Sequence, residues 1–328
     1  MMLQNISMGR RALLAAPALA LAPVPTRAQQ ANLVETGSQG WLFPVWDRID
    51  RLDEPALRAV LQLVADAITA LRAGRMEVTL CLIPSKKRMM RQFLPAGSTV
   101  SPVIDRRFSL TVAEARRAGA LVPDLDARFR EFMAREPTRP VFFKTDTHWT
   151  PVGAEVAGIE IARQMRENLR LPASPRPGTR LGNLRPMVLA AGDLTRYVPA
   201  PQRASFGPEE SMIRQILAPE GGASLLDDDS FDTVIVGTSN VQPRFGFQPV
   251  LSNQLVRSVG LSWRPNNLGP FFTMLDYLRS EGFRQNRPRA MVWNLLEADM
   301  LTGSSNSAWG QSSMAPAAFL ADIRRLLA

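Results

Sequence analysis

Histidine is nearly absent from this 328-residue chain, in which His148 is the only one. Cysteine is equally rare: Cys81 stands alone, so an intramolecular disulfide is excluded and the redox compartment stays open. One histidine and one cysteine are too few for a zinc site of the usual kind, and we expect neither a metal nor another cofactor. Because Cys81 lies in the apolar stretch VTLCLIP, we expect a small core residue on a buried strand.

The chain also lacks a basic cluster, although it is strongly basic overall. Its 39 Lys+Arg against 30 Asp+Glu give a formal net charge of +9, and the arginines are spread along the chain. A nucleic-acid groove would show a basic stripe with aromatic residues, so we expect no nucleic-acid partner. A solvated basic surface is expected instead, with at most a mild attraction to anionic polymers or membrane surfaces.

No segment is apolar over the roughly 20 residues that a membrane-spanning helix needs. The nearest approach is N-terminal, where Arg10 and Arg11 precede an apolar stretch that ends near Ala22 and small residues follow near Ala28. This pattern predicts a cleaved export signal over residues 1–28, with an uncleaved N-terminal anchor as the alternative. The twin arginine is typical of the Tat route, although a Sec signal can also carry two arginines.

Helix and strand patterns alternate along residues 29–328. Apolar residues at spacings of three and four between Leu57 and Leu71 predict an amphipathic helix. Residues 169–230, rich in proline, glycine and polar residues, predict an irregular insertion. The alternation predicts a single α/β domain with a mostly parallel central sheet flanked by helices. Its longer strands are predicted at 77–84, 232–240 and 289–300, and short strands are predicted at the start of ALVPDLDARFREFM and of RPVFFKTDTHWT.

Polar residues that could do chemistry follow two of the predicted strands. In TVIVGTSN, Ser239 lies in a small-residue turn, where backbone N–H groups from Asn240 onward could stabilise an oxyanion. In VFFKTDTHWT, Asp146 precedes His148 by two residues, so its carboxylate could orient the imidazole. Together they predict a triad in which His148 takes the proton of Ser239. As alternatives, Asp146 or Thr147 caps the next helix, and the serine only forms the turn.

The stretch FFKTDTHWTPVGAEVAG resembles the signature of the alginate O-acetyltransferases, the AlgJ/AlgX group, and their relatives in exopolysaccharide acetylation. Further similarity lies in TVIVGTSN, in LGPFFTMLDYLRSEGFRQNRPRAMVWNLLEADM, in GWLFP and in LIPSKKRMMRQFLP, so the resemblance spans most of residues 37–300. It implies an SGNH-hydrolase-like fold. It also implies that Ser239 is the nucleophile, His148 the general base and acid, and Asp146 its orienting carboxylate.

The sequence departs from the family pattern at two places. Asn240 and Val241 stand where an aromatic or small polar pair is expected, and RPNNLGPF holds one glycine where the family often has two. The candidates for the oxyanion hole are Asn240, Gly269 and Asn267. The candidates for sugar contacts are Trp149, Trp41 and Lys86. Core packing is the alternative for the two tryptophans, and a solvated surface position is the alternative for the lysine.

The resemblance implies a function outside the cytoplasm. The expected activity is transfer of acetyl groups to an exopolysaccharide, alginate-like or cellulose-like, through an acetyl-serine intermediate. A membrane-bound O-acyltransferase partner would pass on the acetyl group, and the protein would lie in the periplasm, anchored to the inner membrane if the signal is uncleaved. A carbohydrate acetylesterase with the same triad and a non-catalytic polysaccharide-binding or assembly protein are the alternatives.

Overall fold

The computed structural model describes residues 33–174, 176–218 and 231–328. The export signal expected over residues 1–28 therefore lies outside the described residues, as does part of the insertion expected at 169–230. Within the described ranges, none of the helices combines the length and the apolar character needed to cross a membrane.

A four-stranded parallel sheet forms the centre of the molecule. Its strand order is β3 (Glu77–Ile83), β8 (Ala290–Leu296), β6 (Thr233–Gly237) and β7 (Gly260–Trp263). The three longer predicted strands are confirmed with shorter bounds. The two short strands predicted near Leu121 and Phe142 are wrong, because each forms only an isolated bridge, to Thr79 and to Trp149. β7 was not predicted, because its four residues GLSW show too little pattern to indicate a strand. Apolar side chains of β3, β6 and β8 are buried on both faces, as parallel sheets require.

Helices cover both faces of this sheet. Those of the described residues are α1 (Glu54–Ala73), α2 (Lys86–Met89), α3 (Arg106–Arg117), α4 (Leu125–Arg135), α5 (Pro151–Asn168), α6 (Ala200–Arg203), α7 (Phe247–Leu255), α8 (Gly269–Arg279), α9 (Glu281–Gln285) and α10 (Pro316–Leu327). α1, α3, α8 and α10 pack into one apolar core, and α4, α5 and α7 pack into another on the opposite face. The α/β architecture expected from the sequence is confirmed.

Two antiparallel hairpins complete the described structure. β1 (Val34–Thr36) pairs with β2 (Leu42–Pro44), and β4 (Leu181–Leu189) pairs with β5 (Glu209–Ile216). The second hairpin corrects the expectation of an irregular segment over 169–230. Its strands gave little signal because they are mostly half-buried or exposed, with Leu189 the one buried residue of β4, and because Pro186 lies within β4.

Candidate active site

Ser239 stands directly beyond the carboxyl end of β6. The strand ends at Gly237, and Ser239 opens a single 3-10 turn over Ser239–Val241. A Cβ on Gly237 would lie 2.6 Å from the Cβ of Asn294 on β8, so glycine permits the close approach of the two strands just before the turn. The serine is 6% exposed and faces a pocket. This is the edge of the sheet where α/β proteins place their ligands.

His148 belongs to a tight loop that precedes α5. Phe142 and Trp149 pair across this loop, and Thr150 ends it by capping the helix, its Oγ1 accepting the Gly153 N–H at 3.1 Å. The cap considered as the alternative role of Asp146 and Thr147 is therefore supplied by Thr150 instead. The carboxylate of Asp146 is left to bind the histidine.

The side chains of Asp146, His148 and Ser239 form one continuous chain of hydrogen bonds. His148 Nδ1 lies 2.5 Å from Asp146 Oδ1, and His148 Nε2 lies 2.7 Å from Ser239 Oγ. Burial raises the pKa of Asp146, but the hydrogen bond and charge of His148 and the backbone N–H groups outweigh burial and lower this pKa to about 2. An ionised carboxylate accepts the Nδ1 hydrogen, which leaves Nε2 free to accept the serine proton.

Trp149 joins the histidine loop to the serine turn. Its indole N–H donates to the backbone oxygen of Asn240 at 2.8 Å, although the two residues are 91 positions apart in the chain. The ring of Phe245 packs against the imidazole of His148, with 5.1 Å between their centroids. Trp149 is fully buried, so the structure does not place it where a sugar could reach it. It ties the loop that carries His148 to the turn that carries Ser239 instead.

Lys86, expected at a solvated surface or on a sugar, is buried beneath the histidine loop. Its ammonium group donates to the backbone oxygens of Leu42, Lys144 and Asp146 at 2.7, 2.9 and 2.8 Å. Burial lowers the pKa of Lys86 to about 7, against the opposing effect of the surrounding carboxylates. Lys86 therefore holds the backbone of Asp146 in place and has no free donor for a substrate.

Trp41 is also buried rather than open to a sugar. Its ring stacks on Phe93 with 5.0 Å between the centroids, and the ammonium of Lys86 lies 5.4 Å from the indole centroid. The alternative of core packing therefore describes both tryptophans that the sequence suggested as substrate contacts.

The three residues proposed for the oxyanion hole do not lie together in the structure. Asn240 lines the pocket beside Ser239, whereas Asn267 is exposed and does not line it. Gly269 opens α8 at φ +74°, and a Cβ there would lie 2.4 Å from the indole of Trp309, which explains the glycine by backbone geometry and packing. A second asparagine that lines the pocket is Asn266, one position earlier than the sequence suggested.

The 169–230 segment supports the triad through two carboxylates that the sequence did not indicate. The backbone N–H of Asp193 donates to Asp146 Oδ2 at 3.0 Å, and the Asp193 carboxylate accepts from the N–H and hydroxyl of Thr147. Glu209 accepts from the N–H groups of Lys144 and Thr145 at 2.6 and 2.8 Å. Together with the hydrogen bonds of Lys86, these contacts hold the backbone of the loop in place.

Asp146, His148 and Asp193 are close enough to suggest a metal site. One ligand atom from each lies within 4.8 Å of the others. However, Asp146 and His148 are bonded to one another, and both oxygens of Asp193 accept hydrogen bonds from Thr147. An ion at this place would have to break the hydrogen bonds that orient the imidazole.

A buried network of charges forms the other wall of the pocket. Glu297 follows β8 and accepts from Arg88 Nη2 and Arg107 Nε, both at 2.8 Å, and from the N–H of Ser85. Asp47 pairs with Arg107 at 3.1 Å. Each of these two carboxylates is neutralised by a buried arginine, so this wall positions the residues that follow β3 and β8. Neither acid is therefore free beside Ser239.

Cys81 takes no part in the site. It is fully buried on β3, and burial raises the pKa of its thiol to about 12, so a thiolate nucleophile is not available there. The expectation of a small core residue is confirmed.

Residues 34–297 match the family described as SGNH hydrolase-like domain, acetyltransferase AlgX. The chain belongs to this family. A probable alginate O-acetylase AlgJ of Pseudomonas putida is 30% identical over 253 residues, which cover 74% of this chain and 64% of that protein. The AlgJ of Pseudomonas aeruginosa is 29% identical over 280 residues, or 80% of this chain and 69% of that protein. The chain thus spans about two thirds of the length of these relatives.

Solved structures of the family share the fold. The O-acetyltransferase domain of Pseudomonas putida AlgJ superposes with a TM-score of 0.70 at 27% identity, covering 89% of this chain and 98% of that domain. Pseudomonas aeruginosa AlgX gives a TM-score of 0.60 at 19% identity, over 83% of this chain and 67% of that one. The SGNH-hydrolase-like fold implied by the sequence is therefore confirmed.

Proposed function

We propose that this protein transfers acetyl groups to hydroxyls of a polysaccharide through an acetyl ester on Ser239. The observation that carries this proposal is the unbroken chain of hydrogen bonds from Asp146 through His148 to Ser239 Oγ. A serine hydroxyl is a weak nucleophile on its own, and a base at 2.7 Å is what activates it. The match to an acetyltransferase family supports acetyl as the transferred group.

In the first half-reaction, His148 Nε2 takes the proton of Ser239 as Oγ attacks the acetyl carbonyl of the donor. The tetrahedral intermediate collapses, the leaving group takes that proton from the imidazolium, and acetyl-Ser239 remains. Asp146 keeps the imidazole in the correct tautomer and stabilises its charge. The donor would be supplied by a membrane-bound O-acyltransferase, in keeping with an exported protein located in the periplasm.

In the second half-reaction, a sugar hydroxyl gives its proton to His148 and attacks the acetyl carbonyl. The serine oxygen leaves with the same proton, so the enzyme is restored and the sugar is acetylated. We assign stabilisation of the oxyanion to the backbone N–H of Asn240 and the side-chain amide of Asn266, which line the pocket beside Ser239. The acceptor class follows from the relatives, which are named for alginate.

A transfer assay tests this function. The purified protein is mixed with an activated acetyl ester and alginate oligosaccharides, and both acetylated sugar and free acetate are measured. Acetylated oligosaccharide that disappears in Ser239→Ala supports the transferase. Serine-dependent release of acetate without sugar acetylation supports an acetylesterase instead. Oligosaccharide binding with neither product, equal in both proteins, supports a non-catalytic binding protein and overturns the proposal.

A further inference from the structure

The pocket around Ser239 is too small to hold a sugar ring. We call the space lined by Trp46, His148, Ser239, Asn240, Asn266 and Glu297 the acyl pocket. Its volume is about 50 Å³, far below the roughly 300–1,000 Å³ of pockets that enclose ligands of several rings. An acetyl group fits a space of this size. The sugar that receives the acetyl group must therefore bind at the mouth of the acyl pocket, on residues that remain exposed.

Trp46 is an exposed aromatic residue at that mouth, whereas Phe142, which also lines the acyl pocket, is buried. It follows β2, lines the acyl pocket together with His148 and Ser239, and is 43% exposed. Four other tryptophans are at most 6% exposed, namely Trp41, Trp149, Trp293 and Trp309. Because leaving so much indole surface in water costs free energy, a tryptophan kept open beside a nucleophile indicates a binding surface.

The indole of Trp46 is held in place rather than free to turn. The ring of Tyr197 meets it edge to face, with 6.2 Å between the centroids and 81° between the planes. Tyr197 itself is half-buried against a small apolar cluster of Leu42, Leu194 and Val198. A ring fixed in this way loses little conformational entropy when a ligand stacks on it.

The same surface carries an unpaired positive charge. The guanidinium of Arg196 lies 4.8 Å from the centroid of Tyr197 and is exposed, and it makes no ion pair with any carboxylate in the described parts of the chain. Arg48, two positions after Trp46 in the chain, is already paired with Asp50 at 2.6 Å. Within the acyl pocket the carboxylate of Asp47 is held by Arg107. A ligand with its own carboxylate could form an ion pair with Arg196.

We propose that Trp46, Tyr197 and Arg196 form the subsite for the acceptor, an acidic sugar residue of the polysaccharide. The apolar C–H face of the pyranose stacks on Trp46, and Arg196 binds the carboxylate of the same or the neighbouring residue. The stacked ring presents a hydroxyl to acetyl-Ser239 at the mouth of the acyl pocket. This inference rests on the proposed function, because it assigns the acceptor to the same site.

The test separates acceptor binding from the chemistry on serine. Binding of an oligouronate and of a neutral oligoglucan to Ser239→Ala is measured by calorimetry, with and without Trp46→Ala, Trp46→Phe or Arg196→Gln. We expect Trp46→Ala to weaken oligouronate binding by about ten-fold or more and Trp46→Phe to recover most of it. Arg196→Gln is expected to remove an about ten-fold preference for the oligouronate and to leave the oligoglucan unaffected.

Arg287 supplies the matched control. It is exposed and packs on Phe283, 5.3 Å from the ring centroid, as Arg196 packs on Tyr197, but it lies before β8, at the end of the sheet away from Ser239. Arg287→Gln should leave binding unchanged. Oligouronate binding that is equal in Trp46→Ala and its parent overturns the subsite, even if Ser239 is acetylated normally.

Transfer kinetics distinguish this failure from failure of the proposed function. Trp46→Ala is also made in the protein with Ser239 intact. The fold-increase in the KM for the oligouronate should be at least ten times the fold-decrease in the rate of Ser239 acetylation. Absence of acetyl-Ser239 in the unmodified protein contradicts the proposed function, whereas the binding measurement still decides the subsite. Equal effects on acetylation and on KM would assign Trp46 to the shape of the acyl pocket and overturn its role as an acceptor surface.

Discussion

Replacing Asp146 by asparagine removes a single acceptor from the centre of the site. Asp146 Oδ1 accepts the Nδ1 and backbone hydrogens of His148, and Oδ2 accepts the backbone N–H of Asp193 at 3.0 Å. An amide has only one oxygen, so it cannot accept at both positions. If the amide nitrogen faces His148, then Nδ1 must become the acceptor. The imidazole hydrogen then moves to Nε2, which can no longer take the proton of Ser239.

The magnitude of the effect follows from these contacts. With the amide turned the other way, its NH₂ group meets the N–H of Asp193, and a buried unpaired donor costs about 1–3 kcal/mol. The opposite orientation leaves the backbone N–H of His148 unpaired at a similar cost, so neither orientation is strongly preferred. One of them sets the wrong tautomer of His148, and neither carries the negative charge that stabilises the imidazolium. In the serine protease triad the same change of tautomer lowers kcat by about 10⁴-fold. We therefore expect acetylation of Ser239 to slow by about 10²–10⁴-fold and the free energy of unfolding to fall by no more than about 3 kcal/mol.

Single-turnover acetylation measured by intact mass, together with urea unfolding, tests this prediction. Asp193→Asn is the matched control, because an amide there can accept from the N–H of Thr147 and donate to its hydroxyl, and the backbone bond to Asp146 is kept. The control should slow acetylation by less than about ten-fold. If Asp146→Asn, correctly folded, also stays within ten-fold of the unmodified protein, the carboxylate does not set the tautomer and the reasoning is wrong.

Three further changes test other parts of the structure. Lys86→Met removes the donor to three backbone oxygens and should slow acetylation of Ser239 by about ten-fold or more. Unfolding in urea, measured on the same variant, shows whether the protein is still folded. Burial raises the pKa of Asp299 to about 7 in the folded protein. The protonated carboxyl is therefore compatible with the fold at pH 4, and stability is lost as the pH rises through 7 and the buried group ionises. Asp299→Asn escapes that loss and should gain roughly 2–4 kcal/mol at pH 8 but nothing at pH 4, whereas a gain independent of pH would contradict this. Val256 is 71% exposed at φ +54°, so Val256→Gly should stabilise by about 1 kcal/mol, whereas Val188→Gly in strand β4 should destabilise.

The triad residues could be predicted because each carries a local signal. Asp146 and His148 are two positions apart, His148 is the only histidine, and Ser239 directly follows an apolar strand. The hydrogen bonds in the structure join the same three residues. Their catalytic roles remain predictions until the acetylation measurements are made.

The residues that support the triad could not be predicted, because their contacts join distant parts of the chain. Glu209 binds the backbone of Thr145 from 64 positions away, and Lys86 reaches the oxygen of Asp146 across 60. A lysine beside basic neighbours suggests a solvated surface, and only the fold shows the carbonyl groups that bury it. Trp46 could not be singled out from the sequence, because which of the six tryptophans is exposed depends on how the chain packs.

The acetylation of Ser239 is the central claim, and the mass of one peptide tests it most directly. The purified protein is incubated with an activated acetyl ester and then digested. The mass of the peptide that contains Ser239 is measured by mass spectrometry, with Ser239→Ala and His148→Ala treated in the same way. The account predicts an added acetyl group on Ser239 in the unmodified protein and none in His148→Ala, with both variants folded. An acetyl label that persists at full rate in His148→Ala, or that falls on another residue, would contradict it.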